Sequence, residues 1–292
     1  MALRFWRRKP VKLTEQERAS LRVLVAGAKL EMIPLLSAIR TADALPAGAT
    51  VTVTSSPAHG IEATVELAEK LAARGHDVIP HLSAHMIWTQ THLEDLVARL
   101  VEGGFRHVFV VGGDAKDHGD FHDGLMVLRA IDELGRPFEE IGVPGYPEGH
   151  PDIGDGRLLE VLLEKQRYAS YLTTQMSFNP GAIASWIARM RQAGVTLPVH
   201  LGVPGVAEMA KLMRVAAKIG VADSARYLRK NRKLIGHLVR GRFGPDELLE
   251  ELAPTIADPA AGVQGLHVFT FNQVATTVDW QRELLEELAH RA

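Results

Sequence analysis

Glu31 stands in the run Lys29-Leu30-Glu31-Met32, where strand alternation sets it on the face opposite Leu30 and Met32. A carboxyl group turned inward at the mouth of a barrel is suited to donating a proton. The structural alternative is a buried ion pair with a neighbour such as Lys29. Thr54 closes a second run in which Val51 and Val53 alternate with threonines. In a third run Ile79, His81 and Ser83 share a face, and a lone histidine there is more often a hydrogen-bonded structural residue than a catalyst. A fourth ends Val110-Val111-Gly112-Gly113-Asp114, where paired glycines let a large group approach the backbone; a tight turn capped by the aspartate explains the same residues.

The loop Gly145-Tyr146-Pro147-Glu148-Gly149-His150-Pro151 brings an aromatic ring, an acid and an imidazole together, a density typical of a site carried on a loop. Gln175 ends another run, and its amide both donates and accepts, which suits the amide-like edge of a heterocycle. The stretch Asp117-His118-Gly119-Asp120-Phe121-His122-Asp123 has metal-ligating types but lacks the His-Glu-x-x-His helical spacing, so it reads as a solvated loop and no metal site is expected.

These side chains need a scaffold that aims strand ends at one place. Short β-branched runs alternate with amphipathic helical patterns along the chain, with strands expected at 28–33, 51–54, 77–83, 107–111, 140–143, 170–174, 198–201 and 266–270. The helices between them cover about 60–74, 90–102, 123–134, 156–167 and 180–193, several stopped by glycine. Repeated strand–helix units demand right-handed crossovers and a parallel sheet, and eight of them specify an α/β fold of the (β/α)8 TIM-barrel type. The barrel domain is expected over residues 28–292, behind a basic tail and leading helix at 1–27, with extra helices in 207–264 before the last strand. An amphipathic face in that stretch is the natural place for a homo-oligomer contact. No Gly-x-Gly-x-x-Gly follows a strand, which argues against a Rossmann nucleotide site.

Composition narrows the function classes. With 33 basic and 35 acidic residues among 292, there is no long-range pull toward nucleic acid or anionic lipid. The absence of cysteine excludes disulfides, thiolate catalysis and iron–sulfur ligation. The most apolar stretch, Leu21 to Ile39, is broken by Arg22, Lys29, Glu31 and Pro34 and fails as a membrane span; a cytoplasmic enzyme is the expectation.

Taken in order, Leu30-Glu-Met-Ile-Pro34, Pro80-His-Leu-Ser83, Arg106-His-Val-Phe-Val-Val-Gly-Gly-Asp114, Gly145-Tyr-Pro-Glu-Gly-His-Pro151, Lys165, Thr173-Thr-Gln-Met-Ser-Phe178 and Leu266-His-Val-Phe-Thr-Phe-Asn272 resemble the methylenetetrahydrofolate reductase family. The resemblance implies a barrel with FAD at its mouth that reduces 5,10-methylenetetrahydrofolate to 5-methyltetrahydrofolate using NADH or NADPH, in one-carbon metabolism and methionine biosynthesis. It implies Glu31 as general acid, Asp114 beside the flavin and the pterin, and Gln175 and Phe178 on the substrate. Thr54, His81, Gly113, Asp114, Tyr146, His150 and Lys165 would hold the FAD, the lysine pairing with its pyrophosphate. The chain departs from the family pattern at Gly112, where arginine is usual, at Ser55, at Phe121-His122, and at Leu158 in place of a ribose-binding aspartate. Two further readings therefore stay open: flavin-free hydride transfer from NAD(P)H to the folate, and a non-catalytic folate-binding accessory protein.

Overall fold

A computed structural model describes residues 12–115, 117–208, 212, 214, 215 and 242–290. The basic start of the chain and most of the 207–264 stretch lie outside these residues.

Eight parallel strands close into a barrel: β1 (Lys29–Met32), β2 (Thr50–Val53), β3 (Asp77–Ser83), β4 (His107–Val111), β5 (Glu140–Gly145), β6 (Tyr171–Thr174), β7 (Val199–Pro204) and β8 (Val263–Phe269). Neighbours run in sequence around the ring, and β8 closes it on β1 with Lys29 opposite His267 and Glu31 opposite Phe269. Strand alternation explains the two faces. Leu30, Met32, Val51 and Val53 turn outward into the main core beneath the helices, while Ile79, Phe109 and Tyr171 form a separate small cluster inside the barrel.

The surrounding helices begin where the sequence offers caps. Helix α1 (Glu15–Ala26) starts with a capping box between Thr14 and Glu17, and packs against α8 (Asp246–Ala257) and α9 (Val274–His290). A short α2 (Ala38–Thr41) follows β1, and α3 (Gly60–Ala72) follows β2. Thr89, Asp123 and Asn179 cap α4 (Gln90–Glu102), α5 (Gly124–Glu133) and α7 (Pro180–Gln192), each accepting from a backbone N–H in the first turn. Helix α6 (Asp155–Lys165) lies between β5 and β6.

Two features depart from expectation. Strands β5, β7 and β8 are longer than the sequence pattern suggests; β8 begins at Val263 and shifts register before Gly265, where the polar Gln264-Gly265 pair hid the alternation. A Cβ on Gly265 would lie 2.4 Å from the His200 ring, so only glycine lets that imidazole sit inside the barrel. The stretch expected to be helical opens instead with a two-residue antiparallel pairing of Ala207–Glu208 with Arg242–Phe243 before α8. No helix among the described residues is long and apolar enough to cross a membrane.

Candidate active site

The site-forming side chains fall into two groups, one at the C-terminal end of the barrel and one running down its lumen to the first residues of β1 and β6. The first lines a cavity of about 980 Å³, at the upper end of the range for small-molecule and cofactor sites. Its walls come from the loops after β4, β5 and β6 and from α6 and α7, and they include Gly113, Asp114, Tyr146, His150, Lys165 and Gln175. Six of the residues expected from the sequence thus meet in one concavity.

Each is placed by a local physical cause. Gly113 has φ of 103°, in the left-handed region, and carries Asp114 out to the cavity rim. The Tyr146 ring packs edge-on against His150 with centroids 5.3 Å apart. Burial, helped by the Asp114 charge, pushes the Tyr146 phenol up to about 12, so it is a neutral hydrogen-bonding group. Lys165 ends α6 and is buried, and no hydrogen bond or ion pair to its ammonium exists among the described residues. Desolvation holds it below the usual lysine range, opposed by the charge of the Asp123 carboxylate. The Gln175 backbone N–H donates to Gly145 O at 2.7 Å, while its side-chain Oε1 accepts from Met176 N at 3.1 Å. That leaves the amide NH₂ without a partner among the described residues, on a side chain that lines the cavity. Glu148 and Arg189 also line the wall, and Glu148 accepts a 2.5 Å hydrogen bond from Ser177.

The second group fills the barrel lumen. Glu31 Oε2 lies 3.1 Å from His267 Nε2, with side chains 12% and 3% exposed. The expected alternative partner, Lys29, instead sits 3.9 Å above the Tyr171 ring, which also stacks on His200 with centroids 4.2 Å apart. Burial depresses Lys29 and raises the Tyr171 phenol. His81 is buried against Phe109, centroids 4.7 Å apart, and desolvation lowers it to about 4 despite the opposing charge of Glu31. His200 falls to about 3, again through burial first and then the Lys29 charge. His81 Nε2, Thr52 Oγ1, Thr173 Oγ1 and His200 Nδ1 are buried without a hydrogen-bond partner among the described residues. Such a lumen differs from the branched aliphatic filling usual in these barrels.

Glu31 and His81 are not among the cavity-lining residues, and β1 stands across the ring from β5. Thr54 lies one residue past β2, its carbonyl accepting from Thr64. Phe178 is 2% exposed and lines neither the cavity nor its rim. Ser55 donates to the His81 carbonyl at 2.8 Å, tying β2 to β3, and Phe121 is buried. In the Asp117–Asp123 stretch, Asp123 caps α5 while His118 and His122 approach through their Nδ1 atoms at 3.2 Å. Sequence reasoning missed His267, His200 and Tyr171. All three sit at inward positions of the consecutive strands β6, β7 and β8, and only the assembled ring says which acid or base each one meets.

Comparison with known proteins fits this arrangement. "Methylenetetrahydrofolate reductase 1" of Schizosaccharomyces pombe is 25% identical over 205 residues, which is 67% of this chain and 34% of that protein. A "Probable methylenetetrahydrofolate reductase (NADPH)" of Caenorhabditis elegans is 22% identical over 70% of this chain and 32% of its own length. The chain therefore spans about a third of the length of these curated relatives. Among solved structures, an uncharacterised Clostridium thermocellum protein that binds two copies of 5-methyl-5,6,7,8-tetrahydrofolic acid superposes with a TM-score of 0.64 at 11% identity, covering 91% of this chain and 96% of that one, a likeness of fold. The family model for methylenetetrahydrofolate reductase matches residues 29–282, from the first residue of β1 into α9 and so across the whole barrel, which makes this chain a member of that family.

Proposed function

We propose that this chain reduces 5,10-methylenetetrahydrofolate to 5-methyltetrahydrofolate with electrons from NADH or NADPH, and that FAD is held in the cavity at the ends of β4, β5 and β6. The observation that carries this reading is the convergence of Asp114, Tyr146, His150, Lys165 and Gln175 on one cavity of cofactor size. A bound flavin would supply the hydride carrier between nicotinamide and folate. The residues suit such a group: Lys165 offers a pyrophosphate a buried ammonium that has no partner among the described residues, and Arg157 and Arg189 add positive charge to the same walls. Gly112, where a side chain would meet nothing within 4 Å, leaves the backbone near Asp114 open to a flat ring.

The chain's own chemistry toward the folate is hydrogen bonding and proton transfer. The Gln175 amide N–H donates to an acceptor on the pterin edge. Glu31 gives its proton to the nitrogen that departs as the five-membered ring opens, leaving an electrophilic iminium carbon to take the hydride. A flat ligand laid over the mouth from β4–β6 toward β1 would bring both groups to one substrate.

The test is methylenetetrahydrofolate-dependent oxidation of NADH and NADPH by wild type and Glu31→Gln, with and without added FAD. The expected outcome is flavin-dependent turnover that falls on the order of 100-fold or more in Glu31→Gln. A flavin-free reductase is the second reading, favoured by Leu158 and Gly112, which line the cavity without a charged or hydrogen-bonding side chain. It predicts full turnover by protein lacking the visible absorption bands of a flavin. Folate binding without turnover of either nucleotide would leave the accessory-protein reading.

A further inference from the structure

We infer that His267 is the positioning residue for Glu31: its Nε2–H donates to Oε2 and so reserves Oε1 as the oxygen that carries the transferable proton. This rests on the reading of Glu31 as proton donor and adds to it a group more than two hundred residues away in the sequence.

The geometry comes from the closing seam of the barrel. Glu31 is opposite Phe269 on β8, so His267 is its diagonal neighbour on the same inward face. The 3.1 Å contact joins a buried imidazole to a carboxylate that keeps a small opening to solvent. The segment after His267 grips β1 as well. Thr270 Oγ1 donates to the Glu31 carbonyl at 2.5 Å. Asn272 accepts from Ile33 N at 2.8 Å and donates to Ile33 O at 2.9 Å. Phe271 and Asn272 hold φ of 52° and 58°, a left-handed conformation that non-glycine residues adopt at a cost and that recurs where a backbone is constrained around a function. The end of β8 thus fixes both the backbone and the side chain of the proposed acid.

Chemistry then assigns the oxygens. An ionised carboxylate accepts on both oxygens, and the neutral acid has one accepting oxygen and one O–H. With a hydrogen on Nε2, Oε2 accepts in both states, and the acid's hydrogen resides on Oε1. Oε1 makes no hydrogen bond with any described residue, so it is available to the substrate nitrogen. On transfer the Oε1–H bond breaks and the substrate N–H bond forms. The resulting carboxylate keeps its Nε2–H donor, now in a stronger charge-assisted bond. The interaction gains strength as charge develops, which is the condition for lowering a barrier rather than only improving binding.

Two variants and one spectrum test this. His267→Gln retains an N–H donor at similar reach, and His267→Leu removes it. The expected result is a kcat lowered on the order of 100-fold in His267→Leu, with the folate dissociation constant unchanged and most of kcat regained in His267→Gln. A His267→Leu enzyme as fast as wild type, or a folded His267→Gln as slow as His267→Leu, overturns the proposal. Should His267→Leu fail to fold, ¹⁵N-histidine spectra of wild type decide: the imidazole signal that moves in Glu31→Gln must show hydrogen on Nε2, and an Nδ1–H tautomer with bare Nε2 overturns the proposal. The spectrum needs no turnover, so a wild type that reduces no folate would sink the reductase reading while leaving this result independent.

Discussion

Ser83 at the end of β3 and Gly113 after β4 are so close that no side chain fits between them: a Cβ on Gly113 would lie 2.1 Å from Ser83 Oγ. The same glycine holds φ at 103°. Gly113→Ala therefore meets both a strained backbone and a clash that forces the Ser83 hydroxyl to turn away or the loop to move. The expected outcome is a loss of about 1–3 kcal/mol in urea unfolding, together with weakened ligand binding as Asp114 is re-aimed. An alanine variant with wild-type stability and affinity would show that the loop is not held where this geometry puts it.

Lys165 separates stability from binding. Its ammonium is buried and depressed by desolvation, so the fold gains little from its charge. Lys165→Met keeps much of the volume and should leave the melting temperature equal or higher. FAD affinity should fall on the order of 10–100-fold with the loss of one charge-assisted hydrogen bond, read by flavin fluorescence titration. The sign of the pH effect follows: because the folded-state value lies below the ordinary lysine value of 10.5, the unfolded chain binds the extra proton, and wild-type stability rises toward pH 10.5 by more than that of the methionine variant.

Acid should unfold the protein through its lumen. His81 and His200 lie at about 4 and about 3 in the folded state, against 6.5 unfolded. Both values are lowered, so as pH falls below 6.5 the unfolded chain takes up protons that the folded chain refuses, and stability is lost down to about pH 3. The loss from His81 alone is on the order of 3 kcal/mol by pH 4. The groups facing these rings are Glu31 and His267 for His81, and Lys29 and His267 for His200. Urea unfolding of His200→Phe between pH 6 and pH 4 should show a slope shallower by about 1.4 kcal/mol per pH unit, the equivalent of one proton.

Leu158 offers a gain of function. It lines the cavity in the first turn of α6, where a carboxylate is favoured by the helix N-terminus. If FAD occupies the cavity, Leu158→Asp should tighten its binding on the order of tenfold, the worth of one good hydrogen bond to a ribose. Unchanged flavin affinity alongside intact turnover would favour direct hydride transfer from the nicotinamide.

Much of the scaffold is legible in the linear order. Strands β3 and β4 and helix α4 begin and end where alternation, capping Thr89 and the Gly103-Gly104 stop place them. These are local signals, carried by residues within a turn or two of one another. The cavity was equally legible, because its residues follow consecutive strands β4, β5 and β6, and consecutive strands in a parallel barrel are neighbours. Strand β8 was only half visible, since Gly265 is dictated by the His200 ring across the seam rather than by its own neighbours.

The sequence by itself determined the class of fold and the face on which Glu31 lies, because a strand's two-residue period assigns faces without reference to any partner. Only the tertiary structure decided that Glu31 meets His267 instead of Lys29, and that Lys29 goes to Tyr171. Ring closure joins β1 to β8 at a fixed register, and which acid finds which base across that seam depends on strand stagger and on ring sizes contributed from the far end of the chain.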